Sequence, residues 1–209
     1  MGREIISRSV IKRLPRYYSY LEELSQEGKV RISSKELADK MKLTASQIRQ
    51  DLNNFGGFGH QGYGYNISDL RQEIGAILGV DEKLKAILVG VGNIGTALAT
   101  QINFQKRGFD LIGLFDVDED IVGKEVNGIK VTHMDDLSSF CEQNKPVTAV
   151  LCIPKAAAYD VAKKLIDNGV TSFWNFSHFD LNVNFDGIVV ENVHLGDSLL
   201  TLSYMTKNR

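Results

Sequence analysis

The densest chemistry in this sequence sits in six consecutive residues, Gly90-Val91-Gly92-Asn93-Ile94-Gly95, directly after an apolar run at 86–89. Glycine at the first position permits a tight turn, at the second leaves room for a pyrophosphate against the backbone, and at the third lets helix and strand pack closely. The helix that follows points its positive end at the anion. Asp116 closes the next apolar run, 21 residues beyond Gly95, near the offset at which an acid bonds ribose hydroxyls. The residues after it, Val117-Asp118-Glu119-Asp120, include no Arg or Lys to receive a 2′-phosphate. The spacing therefore predicts an NAD(H) site and not an NADP(H) site. Two further segments, Cys152-Ile153-Pro154 and Trp174-Asn175-Phe176, close later apolar runs at the carboxyl edge where ligands settle in open parallel sheets. Ile153, Pro154, Asn175 and Phe176 are expected to line the nicotinamide side, with Asn175 as the polar contact; strand packing and a turn at Pro154 are the competing reading.

Other reactive side chains form no comparable pattern. Cys141 and Cys152 lack C-x-x-C spacing, so packing is their expected role. His60, His133, His178 and His194 are scattered without ligand spacing, and no metal site is expected. Tyr159-Asp160-Val161-Ala162-Lys163 matches the Y-x-x-x-K spacing of short-chain dehydrogenases, but the glycine spacing is that of the other Rossmann class. We read that match as coincidence on a solvated helix, and expect no catalytic residue and no enzyme.

A second kind of chemistry precedes the first along the chain. Two capping boxes, Ser33-x-x-Glu36 and Thr44-x-x-Gln47, each open a short amphipathic helix, and only Lys42 and Leu43 separate the helices. So short a connection forces a sharp helix-turn-helix corner. The second helix, residues 45–54, presents Ser46, Gln47, Arg49, Gln50 and Asn53, with Thr44 at its start, as a face able to read a DNA major groove. Arginine can read guanine there, and glutamine adenine. Arg13, Arg16, Arg31, Lys35, Lys40 and Lys42 would meet phosphates. Glycine and aromatic residues alternate over 56–65 as in an exposed hairpin, a wing that adds His60, Gln61 and Tyr63 to the DNA-facing set. The competing reading is an ordinary solvated surface.

These groups need two kinds of scaffold. The first third has helical apolar spacing: a short turn or helix over 9–14, a new helix opened by Pro15 and running to about Gln26, the two corner helices, and a connecting helix over 66–79. From Lys85 onward, short apolar runs at 86–89, 111–115, 129–132, 147–153, 171–174 and 188–190 alternate with helical stretches at 93–106, 135–142 and 156–167, as in βαβ units. We therefore predict an α/β chain of two domains, a winged helix-turn-helix over 1–79 and a Rossmann-type parallel sheet over 80–209. A terminal helix near 196–206 carries apolar residues on more than one face.

Charge follows the same division. Residues 1–80 hold 12 Lys and Arg against 9 Asp and Glu, and residues 81–209 hold 12 against 17. The basic part suits a polyanion, and the acidic part repels one. No apolar run reaches the length of a membrane span, and the charged opening MGREIISRSV is unlike a signal peptide. A soluble cytoplasmic protein is expected.

Three stretches together, Thr44 to Gly56, Gly62-Tyr63-Gly64-Tyr65, and Val89 to Gly95 with Phe115-Asp116, resemble the Rex family of redox-sensing repressors. The resemblance extends over nearly the whole chain. It implies a homodimer on palindromic double-stranded operator DNA, a last helix swapped into the partner subunit, DNA binding permitted by NAD⁺, and release by NADH. Two departures stand out. Gln50 and Gln61 occupy positions where the family often has basic residues, and Ser19 and His194 occupy those of an Arg-to-acid latch, near which Arg16 and Asp197 are the available substitutes. Two other functions remain open on the residues alone: a small NAD-dependent oxidoreductase with an accessory N-terminal domain, and a nucleotide- or CoA-binding subunit of a larger complex.

Overall fold

The computed structural model describes residues 6–55 and 63–208, and the chain divides into two compact units, up to Asp81 and from Glu82 onward. In the first unit, α1 (Arg8–Gln26) buries Leu14, Tyr17, Leu21 and Leu24 at alternating spacings of three and four. The same core receives Leu37 and Met41 from α2 (Ser34–Met41), Ile48 and Leu52 from α3 (Ala45–Asn53), and Leu70 and Ile74 from α4 (Ile67–Leu78). Short strands β1 (Arg31–Ile32) and β2 (Tyr65–Asn66) pair antiparallel, so the chain leaving α1 and the chain entering α4 are stitched together. The expected wing lies mostly outside the described residues, His60 and Gln61 included; Tyr65, the last residue of that stretch, begins β2.

Pro15 does not begin a helix. It lies inside α1, which runs unbroken from Arg8. Proline there removes one internal hydrogen bond, yet Leu14 and Tyr17 on either side are fully buried. Burial at roughly 1.5–3 kcal/mol per large apolar side chain outweighs the local cost.

The corner between α2 and α3 forms as the spacing requires. Ser33 completes a full capping box with Glu36, whose carboxyl accepts from the Ser33 amide and is held down at about 2. Lys42 takes the left-handed conformation (φ 55°) that ends α2 and starts the turn.

The second unit is a sheet in the order β5-β6-β4-β3-β7-β8-β9. Its strands are β3 (Leu84–Val89), β4 (Phe109–Asp116), β5 (Glu125–Val126), β6 (Ile129–His133), β7 (Thr148–Leu151), β8 (Ser172–Asn175) and β9 (Val189–Asn192). All pairings are parallel except β5 with β6. Alternation along β3 sends Ile87 and Val89 to a core shared with α6 (Leu137–Asn144), α7 (Lys155–Asp167) and α8 (Leu181–Asn184). Leu88 goes to the opposite core, with Ala99 of α5 (Asn93–Gln101). The expected helix over 93–106 ends early, at Gln101, and a separate 3-10 turn forms at Gln105–Arg107. From β3 the chain builds outward through β4 and β6, then returns to β7 on the other side of β3. That reversal opens a crevice at the carboxyl ends of β3 and β7.

The last helix, α9 (Leu195–Lys207), has no buried residue: Leu195, Leu199, Leu200, Leu202, Tyr204 and Met205 are 58–72% exposed. Among the described residues, no helix is long and apolar enough to cross a membrane.

Restoring the missing amide in α1 should be visible directly. Pro15→Ala is expected to stabilise the first unit by about 1–3 kcal/mol, read as a higher denaturation midpoint in urea.

Candidate functional site

At the carboxyl end of β3 the backbone leaves no space for side chains. Gly90 has φ +93°, and a Cβ there would lie 2.5 Å from the Cys152 carbonyl oxygen and 2.9 Å from Cγ2 of Ile153. A Cβ at Gly95 would lie 1.9 Å from the Gly90 carbonyl oxygen. Gly92 is the reverse case: nothing stands within 4 Å of its missing Cβ, and it caps α5 without any side-chain hydrogen bond. An open concavity with an uncapped helix start above it is what a pyrophosphate needs. The residues present thus fit a dinucleotide, with Val91, Asn93 and Ile94 completing the loop.

Asp116 ends β4 beside this loop. One carboxylate oxygen accepts from the Val91 amide at 2.6 Å, and the other accepts from the Val117 and Asp118 amides at 2.7 and 3.0 Å. The acid therefore holds the glycine loop and the turn after β4 in one arrangement, a tie the sequence offset did not reveal. The first oxygen keeps a lone pair for a ribose hydroxyl. Val117, 69% exposed, and the acidic residues Asp118, Glu119 and Asp120 follow Asp116 directly in the chain, a stretch with no cation to receive a 2′-phosphate.

Ile153 borders the loop and Pro154 is exposed at the start of α7. Phe176 packs edge-on to Trp174 at 4.8 Å on the α5 side of the sheet. Asn175 is a correction. It is completely buried, donating to the Phe179 carbonyl (2.7 Å) and to Asn192 (2.9 Å), and accepting from the Ser177 amide and hydroxyl. Both donors and both acceptor positions are taken, so Asn175 shapes the loop after β8 and touches no ligand. Strand alternation explains it: Trp174 and Phe176 face α5, and Asn175 between them faces the other way. A separate apolar cavity of about 330 Å³, bordered by Ile102, Phe104, Arg107 and Trp174, shares no residue with the glycine loop.

The remaining reactive groups are otherwise engaged. Lys163 pairs with Asp167 at 2.6 Å, and Tyr159 stacks on Phe185. Burial pushes the Cys152 thiol up to about 12, leaving it unreactive. His133 accepts from the Asp135 amide at the start of a 3-10 turn. His178 and His194, 16 residues apart, stack at 4.8 Å, and His194 also meets Asp197 at 3.2 Å, so Asp197 already has a partner within its own chain. Among the described residues there is no group of three or more metal-ligating side chains.

In the first unit, Thr44, Ser46, Arg49, Gln50 and Asn53 share the exposed side of α3, with Lys35 exposed on α2 and Arg16 exposed on α1. Tyr63, just before β2, is 75% exposed. Arg13, expected to meet phosphate, is paired inside the first unit. Its guanidinium grips Asp51 of α3 through Nε at 2.6 Å and Nη2 at 2.7 Å. Tyr17 donates to the same carboxylate at 2.6 Å, and Gln47 at 3.0 Å. Desolvation works against the Asp51 charge, but hydrogen bonds from Arg13, Tyr17 and Gln47 outweigh it and hold the carboxyl below its usual range. The second capping box is accordingly half formed. Thr44 accepts from the Gln47 amide, but the Gln47 side chain turns to Asp51 instead of returning to Thr44.

Known proteins are similar to this chain over nearly its whole length. The chain is 52% identical to the redox-sensing transcriptional repressor Rex of Clostridium novyi (strain NT), over 96% of this chain and 95% of that one. It is 49% identical to the protein of the same name from Clostridioides difficile (strain 630), over 99% and 98%. This chain belongs to the Rex family of redox-sensing transcriptional repressors. Family models agree by region: "Putative DNA-binding protein N-terminus" matches residues 5–53 and "CoA binding domain" matches residues 81–179. Among solved structures, the Rex-family repressor RSP in complex with β-NAD⁺ and operator DNA is similar with a TM-score of 0.91 at 47% identity, covering 98% of this chain and 94% of that one. RSP in complex with β-NADH gives 0.88 at 45% identity, covering 98% and 96%. The family is one of repressors, so the oxidoreductase alternative falls.

The close approach of Gly95 to Gly90 yields a direct test. Gly95→Ala should lower dinucleotide affinity at least about tenfold by calorimetric titration, while the first unit keeps its fold.

Proposed function

We propose that this chain acts as a homodimer in the bacterial cytoplasm, holding palindromic operator DNA through α3 and the wing, and that NADH releases the DNA while NAD⁺ permits it. The observation that carries this reading is the presence in one chain of a polar, exposed α3 face and a glycine cradle tied to the Asp116 carboxylate. The two ligand states in which the similar RSP was solved support the assignment of direction.

In this reading Gly90, Val91, Gly92, Asn93, Ile94 and Gly95 hold the pyrophosphate, and Asp116, with Val117 beside it, holds the adenosine ribose. Ile153, Pro154 and Phe176 border the nicotinamide. When bound, the dinucleotide supplies one redox-dependent difference, a positive charge that its nicotinamide ring carries only when oxidised. Arg16, Lys35, Thr44, Ser46, Arg49, Gln50, Asn53 and Tyr63, with Gln47, His60 and Gln61, form the DNA-facing set. With glutamine at 50 and 61, salt dependence is shallower than a lysine or arginine at those positions would give.

Release requires a difference in affinity between two states of the dimer, because equal affinity shifts nothing. Moving from 99:1 to 1:99 takes about 10⁴-fold, which two equivalent cradles divide into about 100-fold each. The domain arrangement that binds the reduced form more tightly must therefore be one in which the two recognition helices lose half-site spacing. The wholly exposed apolar set on α9 supplies the coupling surface if this helix crosses to the partner subunit, where burial contributes roughly 1.5–3 kcal/mol per large side chain.

Mobility shift on a promoter duplex should show binding with NAD⁺ and loss with NADH. NADPH at equal concentration should have little effect. Asp116→Ala should bind the duplex yet respond at least about tenfold less to NADH; an undiminished response would refute the cradle assignment. The double variant Leu199→Glu with Leu202→Glu should run as a monomer in light-scattering chromatography, and retention of a dimer would remove α9 from the interface.

A further inference from the structure

Asp51 is 1% exposed although it belongs to α3, the helix assigned to base reading, and four donors converge on its carboxylate. We propose that Asp51 is a specificity-positioning residue: by accepting from Gln47 it fixes which end of the Gln47 amide faces the DNA. This rests on the operator-binding reading above and deepens it.

An ionised carboxylate only accepts hydrogen bonds, so the end of the Gln47 amide turned toward it must be the NH₂ group. One Nε2 hydrogen is thereby committed at 3.0 Å to Oδ1 of Asp51. The second hydrogen and the Oε1 oxygen remain, a donor and an acceptor side by side on a half-buried residue of the α3 face. That pair is complementary to N7 and N6 of adenine in the major groove. A free glutamine would sample both amide orientations, and the swapped one offers its donor and acceptor in the opposite order.

The two carboxylate oxygens are not equivalent, and this predicts what an amide at position 51 would do. Oδ2 accepts from Arg13 Nε and from the Tyr17 hydroxyl, whereas Oδ1 accepts from Arg13 Nη2 and from Gln47. Arg13 donates to both oxygens, so an asparagine sets its NH₂ against one arginine N–H whichever way its amide turns. The Tyr17 hydroxyl can rotate to accept on the Oδ2 side and the Gln47 amide can turn to accept on the Oδ1 side, so asparagine no longer dictates a single Gln47 orientation. Where its NH₂ lies on the Oδ1 side, Gln47 turns its Oε1 inward and reverses the order of the groups facing the groove, and the fixed order is lost. Arg13 and Tyr17 anchor the acid to α1, which keeps the reference point for this orientation outside the recognition helix.

The test uses the full-length chain with duplexes selected by the wild-type protein from a randomised pool, followed by single-base substitutions at every position. Asp51→Asn should reduce discrimination at one base pair per half-site by about tenfold, within the range for one bidentate contact. Affinity for random duplex and its salt slope should not change, because phosphate contacts are untouched. Gln47→Ala should lose discrimination at that same base pair, and adding Asp51→Asn to it should cause no further loss there. A uniform loss across all positions, persisting in the Gln47→Ala background, would show that Asp51 merely holds α3 in place and would overturn the proposal. Unaltered base preference in Gln47→Ala alone would do the same even if Asp51→Asn fails to fold. Wild-type protein that selects no preferred duplex would instead refute the operator reading itself, a distinct result.

Discussion

The carboxyl end of β3 is where the backbone of the second unit crosses itself with no room for a methyl group. Gly90 lies against the Cys152 carbonyl and Gly95 against the carbonyl of Gly90, so helix α5 starts immediately above the strand that feeds it. This close approach turns the first amides of α5 toward open space at Gly92. It also brings the Val91 amide within 2.6 Å of Asp116. Pyrophosphate room, helix dipole and ribose acid all follow from that one contact, and any side chain at Gly90 or Gly95 would separate them.

Two aspartates organise the two units by the same principle. Asp116 gathers three backbone amides and stays partly accessible, so it stabilises a loop and keeps capacity for a ligand. Asp51 gathers four side-chain donors and is sealed from water, so the whole of its capacity goes to orienting α1 and α3. A buried charge is tolerable only when its donors are placed this closely. The difference in exposure, more than any difference in chemistry, separates a binding acid from a positioning one.

A repressor that reads a redox ratio needs little chemistry and a large difference in geometry. Nothing in the cradle has to transfer an electron or a proton: Cys152 is held as a thiol, and Lys163 and Tyr159 are each engaged elsewhere. What the fold supplies is a site at the reversal of a parallel sheet and a terminal helix whose apolar residues find no cover within their own chain. Proteins that couple a ligand to DNA through a dimer can use modest affinity ratios, because each subunit contributes its share.

Glycine spacing, the offset to Asp116, the Ser33 capping box and the period of the β3 residues were legible in the sequence because each depends on neighbours a few positions apart, or on a backbone geometry only glycine accepts. The strand runs at 86–89, 129–132 and 171–174 reappear within a few residues in β3, β6 and β8. Tertiary structure alone decided the rest. Arg13 and Asp51 are 38 positions apart, so no local pattern shows that the cation is paired with a buried acid. Pro15 sits within a helix because the core on either side of it outweighs one lost hydrogen bond, a comparison between remote contacts and a local propensity. Asn175 lost its assigned role to the parity of a strand, and His178 met His194 through the path of β9. Local spacing determines which conformations a segment favours. Which side chains remain free for a ligand is set by which distant groups reach them first, and that is decided only when the chain closes on itself.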